Sequence, residues 1–220
     1  MPEERTALLV DFGGVLTTSV TRSFRTFCRE VGLPSELAKE AFLEAYSGHE
    51  GVGPVHRMET GEITVEEFGR GLAAVLSERS GVEVPHEGLV ERLFARMDLD
   101  EAMFAAVAAA RRAGIKTALL SNSWGSDHYP RDRFRHTFDV LVISGEVGIR
   151  KPDPEIFHLT ARRLGVAPRD CVFVDDLDTN VAVAQELGMA GVLHRQTAQT
   201  IAQVAELLGL DRASLVSSGA

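Results

Sequence analysis

The strongest constraint on this chain is a repeated unit: a short apolar run, a polar residue at its end, then a segment with helical spacing. The runs are Thr6 to Phe12, Thr117 to Ser121, Val140 to Ser144, Cys171 to Val174 and Gly191 to His194. Continuous apolar runs of this length read as strands buried on both faces, as in the middle of a parallel sheet. Helical patterns follow at Glu101 to Ala113, Pro154 to Leu164, Thr179 to Leu187 and Thr197 to Leu208. Gly114, Gly165 and Gly188 each stand just past a helix end, where a left-handed cap favours glycine. Such alternation with short connections predicts an α/β fold with a doubly wound parallel sheet and right-handed crossovers.

The rhythm breaks from Thr18 to about Arg96, where no strand of this kind occurs. Ser23 to Val31, Ser35 to Tyr46, Val65 to Leu76 and Gly88 to Met97 place apolar residues three and four apart, the spacing of helices. Ser35, after Pro34, is the predicted N-cap of the second segment, and Thr64 precedes the acidic first turn of Glu66 and Glu67. His49 to Pro54 reads as a loop. The expected organisation is therefore a core of residues 1–17 and 97–210, a helical insertion at 18–96 lying over the sheet, and a loose tail at 211–220. No internal repeat or low-complexity segment interrupts it.

A chain of 220 residues buries roughly 70–75% of its unfolded surface and needs no disulfide or structural metal to fold. Cys28 and Cys171, both in apolar segments, are expected as buried free thiols. The net charge of −9 argues against nucleic acid and anionic membranes as partners. It also means that binding an anionic substrate needs local cationic help. The N-terminus has no charged region followed by a long apolar stretch, and no apolar run approaches ~18 residues, so a soluble, cytoplasmic protein is expected.

Four segments carry the chemistry: LLVDFGGVLTTS with Asp11, TALLSNSW with Ser121, GIRKPDPEIF with Lys151, and CVFVDDLDTN with Asp175 and Asp176. In three of them the polar residue closes an apolar run, at the strand ends where open α/β sheets bind ligands. Asp11, before Gly13 and Gly14, can be a nucleophile or a metal ligand, or a strand-ending residue that only caps a turn. Asp175 and Asp176 repel one another and suit a hard cation such as Mg²⁺, or form an N-cap pair for the following helix. The Ser121 hydroxyl and the Asn122 amide can hold phosphate oxygens, or belong to an ordinary turn. Lys151 is a compact charge suited to phosphate, or a solvated surface lysine. Asn180 can orient the acidic pair or be a plain helix residue. Trp124, His128 and Tyr129 can wall a pocket or pack between core and insertion.

Taken together and in this order, the four segments resemble the four motifs of the haloacid dehalogenase superfamily of hydrolases. HRMETGEIT, LLSNSW and GEVGIRKPDPEIF are similar to a subgroup that contains the N-terminal phosphatase domain of soluble epoxide hydrolases and bacterial sugar-phosphate phosphatases. The resemblance implies a Rossmann-like sheet of order 5-4-1-2-3 with an inserted α-helical cap. It implies a phosphatase of small phosphorylated metabolites in which Asp11 forms an aspartyl-phosphate while Ser121 and Lys151 bind the phosphoryl oxygens. It further implies Mg²⁺ held by Asp11, the Gly13 carbonyl and Asp176, with Asp175 assisting. The family's first motif usually has a second aspartate as acid–base group, and this chain has Gly13 there. Loss of such a group typically slows a reaction ~10²–10⁴-fold. Three resolutions are open: a substrate with a good leaving group such as a sugar 1-phosphate or acyl phosphate, a stand-in from the insertion (His49 or His56), or a slow or silent binding protein. A metal-free dehalogenase is a further enzyme class, disfavoured by the Asp175–Asp176 pair. A receiver domain is disfavoured by the motif order. The sequence names neither the substrate nor the oligomeric state.

Overall fold

A computed structural model describes residues 5–47, 53–125 and 129–216. Five strands among them, β1 (Ala7–Val10), β2 (Lys116–Ser121), β3 (Val140–Ile143), β4 (Cys171–Asp175) and β5 (Ala190–Leu193), form one sheet in the order β3-β2-β1-β4-β5. Every neighbouring pair is parallel, so the direction expected from the alternation and the order implied by the resemblance both hold.

The segment between β1 and β2 contains α1 (Val20–Glu30), α2 (Ser35–Ser47), α3 (Pro54–Glu59), α4 (Val65–Ser80), α5 (Leu89–Phe94) and α6 (Glu101–Arg112). Beyond β2 come α7 (Arg131–Thr137), then α8 (Ser144–Val147) and α9 (Pro154–Leu164) between β3 and β4. α10 (Asp178–Glu186) joins β4 to β5, and α11 (Thr197–Leu207) and α12 (Arg212–Val216) follow.

Side chains alternate across a strand, so each strand feeds both faces of the sheet. Leu8, Val10, Leu119 and Val174 pack with Phe104 of α6 and Ile201 of α11. Leu9, Ala118, Leu120 and Phe173 pack with Phe157 of α9 and Ala184 of α10. Burial on both faces explains the unbroken apolar runs, each buried large side chain contributing about 1.5–3 kcal/mol. A third apolar cluster belongs to the insertion: Phe27, Val55, Phe68, Leu72, Leu76 and Leu89 bury one another. The segments leading into and out of the insertion pair with each other. Thr17 bridges Leu99 in antiparallel fashion, the Thr18 amide donates to the Asp98 carbonyl at 2.8 Å, and the Asp100 amide donates to the Leu16 carbonyl at 2.8 Å.

Several local expectations change. Ser35 is the first residue of α2 and not its cap, and the Pro34 carbonyl accepts from the Ala38 amide. Thr64 does cap α4, in a reciprocal box with Glu67. Residues 49–52 of the expected loop lie outside the described residues, and Pro54 begins a helix, as proline at a first helical position does. The tail expected to be loose forms α12 over residues 212–216, because Leu215 is buried against α6. The glycines at 114, 165 and 188 are left-handed. Cys28 and Cys171 are free and buried. Among the described residues no helix is long and apolar enough to cross a membrane.

Candidate active site at the strand ends

Sheet register builds the centre of the site. Val10 of β1 pairs with Val174 of β4, and the Asp11 amide donates to the Val174 carbonyl at 2.9 Å, so Asp11 and Asp175 leave adjacent strands at the same level. Between them lies Lys151, 1% exposed, its Nζ 2.7 Å from Asp11 Oδ1 and 2.6 Å from Asp175 Oδ2. An ammonium has three donors, so one remains for a ligand. Asp175 is fully buried, and its oxygens also accept from the Leu177 amide at 2.8 Å and from Asn180 Nδ2 at 3.1 Å. Its bonds fix Lys151, which places it behind the cavity rather than in its wall. Asp176 faces the cavity, and carboxylate oxygens of Asp11, Asp175 and Asp176 lie within 4.8 Å of one another.

Three carboxylates against one ammonium leave an excess of negative charge in a buried place. Burial, helped by Asp175 and Asp176 and opposed by Lys151, pushes Asp11 up to about 7. Burial and the neighbouring Asp175 push Asp176 up to about 6, again against Lys151. Burial would lower Lys151, but Asp11 and Asp175 outweigh it and hold it above the ordinary lysine range. The cluster is compatible with a metal ion: its donors are hard oxygens, which suit Mg²⁺, and a divalent cation supplies the missing positive charge.

Ser121 closes β2 beside this centre, its Oγ 2.9 Å from the Tyr129 hydroxyl. Burial pushes the Tyr129 hydroxyl up to about 12, so it stays neutral. Asn122 clamps the main chain of Lys151, accepting from its amide at 2.8 Å and donating to its carbonyl at 3.0 Å. Gly13 lines the cavity, and a Cβ there would meet only Val20 Cγ2 at 3.5 Å and Met97 Cε at 4.0 Å. Gly14 differs: its φ is +78°, and a Cβ would lie 2.3 Å from Asp176 Oδ2. The turn after β1 therefore needs glycine at position 14 and merely has it at 13.

The cavity has a volume of about 520 Å³ and runs from these strand ends to the insertion. Trp124 and Asn180 line it. One face of Trp124 stacks on Phe42 of α2, with centroids 5.4 Å apart, and Phe94 lies 5.0 Å away. His56 is not among the lining residues and presents an edge-on contact to Tyr46. His49 and His128 lie outside the described residues.

Among the lining residues that the sequence reading does not single out, Glu59, Tyr46 and Arg150 form a bonded group. Glu59 ends α3 and is 2% exposed. Its Oε2 accepts from Arg150 Nε at 2.5 Å and from Asn122 Nδ2 at 3.4 Å, and the Tyr46 hydroxyl also donates to it. Its backbone carbonyl accepts from Ser144 Oγ at 2.5 Å. Burial pushes the Glu59 carboxyl up although Arg150 draws it down. The one signal in the sequence is an acid directly after Met58, ahead of the Thr60–Gly61 stop, which is too common to single out.

The geometry agrees with what known proteins share with this chain. A model of the haloacid dehalogenase-like hydrolases matches residues 6–188. The bifunctional epoxide hydrolase 2 of Sus scrofa is 30% identical over 219 residues, covering 93% of this chain, and the chain spans only 39% of that protein. The glyceraldehyde 3-phosphate phosphatase of Methanopyrus kandleri is 47% identical over 62 residues, 28% of this chain and 27% of that protein. A haloacid dehalogenase family enzyme of Bacteroides thetaiotaomicron, crystallised with magnesium and inorganic phosphate, shares the fold with a TM-score of 0.60 at 24% identity, over 87% of this chain and 94% of that one. With the sheet order, the strand-end cluster and a family match over most of its length, the chain belongs to the haloacid dehalogenase-like hydrolases.

Proposed function

We propose that the protein is a Mg²⁺-dependent phosphatase of a small phosphorylated metabolite, a sugar phosphate among the candidates. The observation that carries this reading is Lys151, buried and bonded to both Asp11 and Asp175 beside a three-carboxylate cluster at the mouth of a cavity. The phosphatase named above and the magnesium and phosphate in the Bacteroides enzyme support it.

In this proposal an Asp11 oxygen attacks phosphorus. A new P–O bond forms as the bond to the leaving oxygen breaks, and water then hydrolyses the aspartyl-phosphate, returning Asp11 and releasing phosphate. Asp11, Asp176 and the Gly13 carbonyl would hold Mg²⁺, with Asp175 assisting from behind through Lys151. The ion's part is to offset charge on the phosphoryl oxygens and the carboxylates. Lys151 and Ser121 donate to the phosphoryl oxygens, and Asn122 keeps Lys151 in register. Asn180 orients Asp175. Lacking an aspartate at 13, the site favours substrates whose leaving oxygen departs without strong acid help. We further propose that residues 18–96 act as a cap on the core of 1–17 and 97–210. The paired segments at Thr17 and Leu99 would be its hinge, and Trp124 would be part of the wall it closes over.

Phosphate release from a metabolite panel, with Mg²⁺ and with EDTA, tests the reading. Release that needs Mg²⁺ and falls about 10⁴-fold or more in Asp11→Asn, with the fold retained, is the expected result. No release from any compound by folded protein would favour a binding role, and fluoride or chloride release without metal would favour a dehalogenase.

A further inference from the structure

The two ends of the cavity differ in charge. The strand-end side holds Asp11, Asp176 and Lys151. On the insertion side, the charged side chains among the described lining residues are Glu59 and Arg150, and they are bonded to each other at 2.5 Å. Arg150 is partly open to the cavity, its side chain 19% exposed. Among the described residues only its Nε is engaged, and its two Nη groups have no hydrogen-bond partner. Glu59 is fixed where it is, since turning it away would break its bonds from Arg150, Tyr46 and Asn122 in a buried place.

We infer that the substrate's phosphoryl group is its only anion, that its leaving group is uncharged and rich in hydroxyls, and that Glu59 sets this selectivity by neutralising Arg150. The inference rests on the phosphatase reading above and deepens it. An arginine alone beside a phosphate site would draw a second carboxylate or phosphate into the cavity, where bidentate pairing is strong. With Glu59 bonded to the guanidinium, the described residues of this wall carry no net charge. A second anion there would give up its water for a cation whose charge a bonded carboxylate already offsets, the kind of arrangement by which sites reject a wrong partner. Neutral oxygens suffer no such penalty. The Nη groups of Arg150 can still donate to hydroxyls, and the hydroxyls of Ser19, Thr21 and Thr179 line the same cavity. Trp124 and Phe94 supply an apolar face. A polyol offers both surfaces: a ring of hydroxyls and a C–H face.

Matched substrates test this. Glycerol 3-phosphate and 3-phosphoglycerate differ by a hydroxymethyl against a carboxylate, and a hexose 1-phosphate and its 1,6-bisphosphate differ by one phosphate. In the wild type with Mg²⁺, kcat/KM is expected to favour the neutral member of each pair by about tenfold or more. Glu59→Gln keeps the shape and removes the charge. Its ratio should shrink by about tenfold or reverse, through a lower KM for the charged member. Arg150→Gln leaves Glu59 without its counter-charge and should widen the ratio instead. Equal kcat/KM for both members in the wild type, or an unchanged ratio in Glu59→Gln, overturns the inference. Should Glu59→Gln fail to fold, the wild-type ratio and Arg150→Gln decide it. Turnover without discrimination overturns this inference alone, whereas no Asp11-dependent turnover of any compound overturns the phosphatase reading and the inference with it.

Discussion

The strand ends and the helical insertion each bring a buried ion pair to the same cavity, by different means. At the strand ends, Asp11, Lys151 and Asp175 are held by sheet register: adjacent parallel strands deliver two carboxylates to one level, and the lysine sits between them. In the insertion, Glu59 is held by packing. Val55 and Met58 of α3 are buried among the other insertion helices, and the partner Arg150 comes from the core, 91 residues away. One arrangement follows from backbone pairing and the other from segments far apart in the sequence packing together. The first suits chemistry common to a whole family, and the second suits discrimination among substrates.

The sharpest way to break this contrast is Lys151→Met. It leaves Asp11 and Asp175 buried without their cation, which should destabilise the protein by about 3–5 kcal/mol. It also removes the proposed phosphoryl donor, so phosphate release should fall about 10²–10³-fold or more even where the protein stays folded. Adding Asp175→Asn should return part of the stability in a denaturant titration and none of the activity. If the double variant regained activity, Lys151 would be a structural pair member and the strand ends would lose their claim to the chemistry.

A smaller effect is expected where the two regions touch. Gly13 looks toward Val20 of the insertion and Met97 at its exit, with room for a side chain. Gly13→Asp should fold normally and raise kcat by about 10–100-fold on substrates with poor leaving groups, and less on acyl phosphates. Gly14→Ala is its control. There the left-handed backbone and the 2.3 Å approach to Asp176 predict lost stability and lost activity. Slower turnover in a well-folded Gly13→Asp would mean that the open space at 13 is used by the substrate.

The same contrast decides what the sequence could tell. The strands and Pro154–Leu164 were legible because apolar runs and helix caps are local signals, whereas the strand order came only with the family resemblance. Asp11, Ser121, Lys151, Asp175 and Asp176 were legible only together: each alone reads as a turn, cap or surface residue, but the order of the four segments and the strand-end placement of three of them make one site. α3 was not legible: a six-residue helix that begins at a proline after a glycine is too short to show helical spacing. Glu59, Tyr46 and Arg150 were missed for a deeper reason. Each is an ordinary polar residue on or near a helix or loop, and only tertiary packing brings the three together. His56 shows the converse. Its residue type invited an acid–base role, but it packs edge-on against Tyr46 and does not itself line the cavity.

The smallest of these effects separates the buried carboxylates of the two regions by their response to metal. Asp11 at about 7 and Asp176 at about 6 both lie above the ordinary carboxylate value of 3.8. A carboxyl raised in the folded state holds more protons folded than unfolded between the two values, so its contribution is present at low pH and lost as pH rises through the folded value. The metal-free protein should therefore lose stability between about pH 4 and pH 7. A cation at these oxygens offsets the repulsion, so the Tm gained on replacing EDTA with Mg²⁺ should be larger at pH 8 than at pH 5. At a hundredfold excess over Kd the gain is about 2.7 kcal/mol, roughly 5–10 °C for a chain of this size. Glu59 is raised by burial as well, but Arg150 already supplies its counter-charge. Glu59→Gln should thus leave the Mg²⁺ increment intact, whereas Asp176→Asn should erase it. An increment that vanished in Glu59→Gln instead would make the insertion part of the metal site, and the division between family chemistry and substrate choice would no longer hold.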